Sequence, residues 1–221
     1  MSVHLDELTN LAIELEAERD WRVAELNKIR LMLRKIQENE TEEYANIYLK
    51  MTIPMIYAHW EGFCVASFKI LLDFVKRKNL KGHEVSYNIL TYANRSAYDK
   101  LKGKHSFLQK VDFSKMFIDI LGGTIAFSGK LDTKSNLNYK VLEDILEIFE
   151  MDKRLFAQHK EALDKLVNLR NAIAHGENSR VIDVEGMNEN IALVVELMDG
   201  LLLQQINYVE KEMYILNNMD E

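Results

Sequence analysis

The sequence predicts an all-α protein, on three observations. The chain of 221 residues contains one proline and nine glycines, the residues long helices tolerate least. Its apolar residues recur at three- and four-residue steps through most of the chain. Hydrophobic residues make up 48%, and a chain of this size buries roughly 70% of its unfolded surface. The 29% of charged residues are of both signs, which argues against global disorder.

Residues 5 to 38 read as one long helix. Leu5, Leu8, Leu11, Ala12 and Leu15 start a stripe that Leu26, Ile29, Leu33 and Ile36 continue. Such a helix is about 50 Å long, so it either holds a break or extends from the bundle toward a partner. Its acidic first half and basic second half complement the helix dipole. Residues 38–43 form a polar joint in which Thr41 can cap the next helix, from about Glu42 to Lys78. Pro54 lies inside that helix and should kink or split it. Beyond Pro54, Met55 to Val75 is apolar on several faces and reads as the central core helix.

Lys76, Arg77, Lys78 and Lys81 end it with positive charge, as the dipole favours. Residues 84 to 121 read as shorter helical pieces. Here Arg95, Lys100, Lys102, Lys104, Lys110 and Lys115 are interleaved with Tyr87, Tyr92 and Tyr98. Cations among aromatics suit a single RNA strand, and an ordinary solvated face explains them equally well. Gly122 to Gly129 should be a loop or a short extended piece. Asn138 or Asn136 can cap a helix through Phe149, and another helix runs from about Lys153 to Ala174. Gly176 is its natural stop. A last helix, about Met187 to Leu216, precedes a polar tail. The whole is expected to form a single domain over residues 1–221, with helix 1–40 as a possible extension.

Several functional classes are disfavoured. The single cysteine, Cys64, permits no intramolecular disulfide, and its apolar setting suits a buried, inert thiol. No Cys/His spacing suggests a metal site, and no cofactor motif is present. The first residues lack a secretory pattern, and no apolar run approaches the ~18 residues of a membrane span. The cytoplasm is the expected compartment. A net charge of −7 argues against indiscriminate nucleic-acid binding, without excluding a local basic groove.

The candidate chemistry lies in Leu166-Val167-Asn168-Leu169-Arg170-Asn171-Ala172-Ile173-Ala174-His175-Gly176. Asn171 and His175 are four apart and share a helix face. Arg170 lies ~140° around the axis from His175 at about 100° per residue. One chain therefore aims both side chains at one spot only if the helix end distorts, and a two-fold dimer would bring two sets into one cleft. The residue types suit RNA cleavage by its own 2′-hydroxyl. His175 would be the base or acid near neutral pH, Arg170 would stabilise charge on the phosphorane, and Asn171 would orient phosphate or imidazole. This chemistry requires no metal. From spacing alone, capping of a helix end is the simpler account of the same residues.

Arg170-Asn171-x-x-x-His175 resembles the arginine–polar–histidine signature of the HEPN superfamily. Ile56-Tyr57-Ala58-His59-Trp60-Glu61-Gly62-Phe63 resembles the core helix of stand-alone bacterial HEPN proteins of the RiboL-PSP type. Thr133-Lys134-Ser135-Asn136-Leu137-Asn138 also resembles that branch. The resemblance implies an antiparallel helical bundle acting as a metal-independent endoribonuclease and homodimer in toxin–antitoxin or anti-phage settings. RNA is then the substrate, and an antitoxin or defence protein is a possible partner. It carries Arg170, Asn171 and His175 over as catalytic. Where related toxins have a modifiable tyrosine two residues after the histidine, this chain has Glu177. Glu61 and His59 are supporting candidates, but they point ~160° apart on a helix, so one cleft can use only one of them. Glu61 is the better placed, to pair with Arg170 or orient His175, or else as a carboxylate bonded to a neighbouring element. His4, His83, His105 and His159 read as surface or structural. A non-catalytic module that binds RNA, nucleotide or a partner protein is the alternative function, and a purely structural subunit is a third.

Overall fold

The computed structural model describes residues 2–99, 106–127, 131–177 and 183–216, and within them the protein is all-helical. Helix α1 (Ser2–Asn39) turns at residues 40–41 into the antiparallel α2 (Glu42–Arg77). A 3-10 turn at Gly82–Glu84 leads to α3 (Tyr87–Ala93), α4 (Arg95–Asp99) and α5 (Phe107–Gly122). Then follow α6 (Tyr139–Ile148), α7 (Arg154–Ala157), α8 (Lys160–Ala174) and α9 (Val184–Glu210). This is the expected bundle with a long first helix and short helices in its middle.

Helix α1 is unbroken and buries one stripe, Leu11, Leu15, Leu26, Ile29 and Leu33. Thr41 takes the extended cap conformation at the start of α2, but its hydroxyl makes no capping bond. Helix α2 runs through Pro54 without splitting. An interior proline costs about 3 kcal/mol. The fully buried Ile53, Ile56, Trp60 and Phe63 around it stabilise by roughly 1.5–3 kcal/mol each, so packing outweighs the missing bond.

Helices α1, α2 and α9 pack on one another, and α8 packs on α2. Along α9, Met187, Ile191, Val194, Met198, Leu201, Gln205 and Tyr208 face inward. Gln205 donates to Ser67 Oγ of α2 at 3.1 Å inside this core. Helix α6 starts at Asn138, whose side chain accepts from Val141 N–H at 3.0 Å. It closes the core with Leu142, Ile145 and Leu146, and Phe149 just past its end stacks 4.5 Å from Phe68.

Two expected boundaries are corrected. The helix expected over 153–174 divides, because His159 N–H bonds back to the Phe156 carbonyl at 3.0 Å and closes a tighter turn. Phe156 is thereby lodged against Gly200 of α9, where a Cβ would lie 3.2 Å from its ring. The last helix stops at Glu210 and not at Leu216. Glu212 takes the left-handed conformation (φ +50°), and Met213 N–H bonds to the Tyr208 carbonyl at 3.0 Å. The turn returns buried Tyr214 between Phe74 and Tyr208 and pairs Ile215 with Val85. Gly122, expected in the loop, still belongs to α5; the segment 123–127 is loop, with one bridge from Thr124 to Lys81. Among the described residues, no helix is long and apolar enough to cross a membrane.

Candidate active site at the end of helix α8

Helix α8 buries Leu163, Leu166, Val167 and Leu169. Arg170 and Asn171 follow at the edge of that face, partly buried, and His175 is the exposed C-cap. Gly176 takes φ +76°, the left-handed conformation that ends helices. Its N–H bonds to the Ile173 carbonyl at 3.0 Å, and Glu177 N–H bonds to the Ala172 carbonyl at 2.9 Å. This pair of bonds is a Schellman cap, and it holds the His175 backbone at a defined point.

Arg170 is held from two sides. Its Cζ lies 4.5 Å from the centroid of the Tyr57 ring, a cation–π contact. Its Nη1 donates to Asn171 Oδ1 at 2.8 Å, and Asn171 Nδ2 donates to Asn136 Oδ1 at 3.0 Å. A guanidinium carries five N–H donors and keeps its charge, so an arginine anchored by its face and one edge can still present donors to an anion.

The segment 131–138 forms the opposite wall. Lys134 and Ser135 both take left-handed conformations (φ +54° and +49°). Two such residues in a row fold the chain back, helped by Asp132 accepting from Lys134 N–H at 2.8 Å. Thr133 then donates to Glu61 Oε1 at 2.8 Å, and Leu137 N–H donates to the Tyr57 hydroxyl at 2.7 Å. Burial, and secondarily the Glu61 carboxylate beside it, pushes the Tyr57 hydroxyl up to about 12. Tyr57 therefore stays neutral, and its phenol acts as a platform.

The structure thus brings Arg170, Asn171 and Glu61 into one neighbourhood, with His175 one turn further along α8. Glu61 faces this site and is bonded to Thr133, the alternative of a carboxylate tied to a neighbouring element. His59 faces away. It is buried against α1, edge-on to Trp21 at 5.6 Å and 3.6 Å from Glu25, and burial lowers its pKa. Tyr57 and Asn136 are members that sequence reasoning missed. Tyr57 was findable, since it lies four residues before Glu61 on the same face of α2.

Three of the basic residues singled out in the sequence make contacts elsewhere. Lys78 pairs with Glu7 and lies over Phe74, Arg95 packs on the Tyr92 ring, and Lys115 sits 3.8 Å from Asp112. Lys100, Lys102, Lys104 and His105, the side chain of His4, Ser128–Gly129 and the tail from Asn217 lie outside the described residues. Cys64 is fully buried, and burial pushes its thiol well above the ordinary range, in agreement with an inert core position.

The described residues form an all-helical bundle with an anchored arginine, an asparagine and a helix-capping histidine at the end of α8. The sequence model of the RiboL-PSP-HEPN family matches residues 17–204, and the chain belongs to that family. No curated protein matches the chain, and no solved structure does.

Proposed function

We propose that the protein is a metal-independent endoribonuclease acting as a cytoplasmic homodimer in a toxin–antitoxin or anti-phage setting. The observation that carries this reading is the α8 terminus. There Arg170 is anchored by Tyr57 and Asn171 while His175 is exposed at a fixed cap. His175 takes the proton of the RNA 2′-hydroxyl, and that oxygen attacks the adjacent phosphorus. The bond from phosphorus to the 5′-oxygen breaks, leaving a cyclic phosphate and a 5′-hydroxyl. Protonation of the leaving oxygen falls to a second imidazole, which a dimer supplies. Arg170 stabilises the phosphorane charge, and Asn171 positions Arg170 and the phosphate.

Self-association is supported by an exposed apolar stripe on α2, Tyr44, Ile47, Tyr48, Met51 and Met55, at helical spacing. Removing one essential acid–base group costs on the order of 10²–10⁴ in rate. His175→Ala is therefore expected to abolish cleavage of RNA in EDTA while leaving the helical content and the dimer intact. Equal cleavage by both proteins refutes the assignment. The net charge of −7 favours a second reading, a module that binds RNA or a partner without turnover. Tight RNA binding without product, lost in Arg170→Ala, selects it.

A further inference from the structure

The segment 131–138 has two working sides. One holds the candidate active site through Thr133, Asn136 and Leu137. The other walls an open pocket of about 630 Å³ between α3 and α6. That volume lies within the range of small-molecule sites. The pocket floor is apolar and buried, made by Leu131, Val141 and Ile145. Arg95 stands at its edge with its guanidinium over the Tyr92 ring, Cζ 4.5 Å from the centroid.

We infer that this pocket is a nucleobase subsite, which takes one base of the RNA strand whose phosphate lies at Arg170 and His175. The inference rests on the ribonuclease reading above and adds where the substrate is gripped. Charge pairing favours a base over a phosphate. Asp132, Asp144 and Glu147 line the pocket with Arg95 and Lys134, so an incoming phosphate meets three carboxylates and lysines that ion pairs already neutralise. The acids are also held at the rim. Asp144 binds Lys134 at 3.2 Å and Lys140 at 3.0 Å, and Glu147 binds Lys153 at 2.6 Å. A neutral planar heterocycle meets the apolar floor without displacing those pairs.

Its polar edge finds partners as well. Asn88 Nδ2 donates to the Glu147 carbonyl at 2.8 Å, which fixes the amide and leaves Oδ1 as an acceptor at the pocket edge. The exposed Thr91 hydroxyl both donates and accepts. The Arg95–Tyr92 pair supplies the stacking surface used for unpaired bases. Distance ties the pocket to the site. Lys134 lines the pocket and Asn136 bonds Asn171, and two residues span at most about 7 Å of chain. A base here and a phosphate at Arg170 therefore belong to nearby nucleotides of one strand.

The test uses the full chain and the four ribonucleosides, which carry no phosphate, monitored by chemical-shift changes at Ile145 and Leu131. Wild type and His175→Ala are expected to bind alike. Thr91→Trp, at an exposed position that fills the mouth, and Asn88→Ala are expected to weaken binding, the former at least about tenfold. Circular dichroism checks that both variants are folded. A 2′-O-methyl oligoribonucleotide, which cannot be cleaved, is expected to displace the nucleoside, and Thr91→Trp to raise KM for cleavable RNA with little change in kcat. No shift at millimolar nucleoside overturns the pocket. Nucleoside binding that the oligonucleotide does not displace overturns its assignment to the strand. Loss of cleavage by wild type with the pocket intact counts against the ribonuclease reading and leaves nucleobase binding standing. Cleavage with an unchanged KM in Thr91→Trp does the reverse.

Discussion

Replacing Gly176 with alanine separates the backbone contribution of the α8 cap from side-chain chemistry. At φ +76° an added Cβ would meet nothing within 4 Å, so no clash enters the energy. What remains is the conformational cost of a left-handed alanine, about 1–2 kcal/mol. For a chain of this length that lowers Tm by roughly 2–8 °C. Gly122→Ala is the matched control. Its Cβ also meets nothing, its backbone is helical, and stability should hold or rise by up to about 1 kcal/mol. Thermal and urea unfolding of the two variants measure the difference. Gly176→Asn should recover much of the loss, since asparagine tolerates this conformation. RNA cleavage by Gly176→Ala should fall further than the folded fraction does, because the cap that positions His175 is loosened. If Gly176→Ala melts with or above wild type, the cap does not hold the helix end and the argument for a fixed His175 fails.

Asn136→Ala removes the 3.0 Å bond to Asn171, worth about 1 kcal/mol, so kcat/KM for RNA should fall about fivefold with the fold unchanged. Gly82→Ala puts a Cβ 2.3 Å from the Ile120 carbonyl oxygen, so backbone must move, and denaturant titration should show a loss of about 3 kcal/mol. His59 has a lowered folded pKa, so the unfolded state takes up its proton first. Its contribution is complete above the ordinary value of about 6.5 and is lost as pH falls from there through the folded value. Urea midpoints should drop across that window, and His59→Phe should flatten this limb. Cys64 should resist iodoacetamide in the native protein and react only on global unfolding, which mass spectrometry against denaturant can follow.

The long helices were legible because each buries one stripe, and a stripe of Leu and Ile at helical spacing has few other uses. Pro54 misled only to the extent that local propensity was weighed without the tertiary packing that spans it. The ends at His159 and Glu210 were not legible, since both are closed by ordinary residues in turn conformations and not by glycine or proline. The same reason hid the geometry of residues 131–138, where Lys134 and Ser135 carry a reversal that composition does not announce. Arg170, Asn171 and Glu61 were visible as chemistry. Of their anchors, Tyr57 was within reach of the same helical spacing, four residues before Glu61, whereas Asn136 was not, because a bridging amide is defined by what it touches. The opposition of His59 and Glu61 followed from helical angle alone, and the structure places them on opposite sides of α2.

The packing of α9 against both α1 and α2 has a consequence for synthesis. About 145 residues separate the end of α1 from the start of α9. At translation rates of about 5–20 residues per second, the apolar stripe of α1 waits roughly 7–30 s for its last partner. During that interval α8, with Arg170 and His175, has been made but has no finished core to seat it. The order of elements therefore delays the seating of α8 until α9 has been made, and it leaves the apolar stripes of a two-helix hairpin uncovered in the meantime.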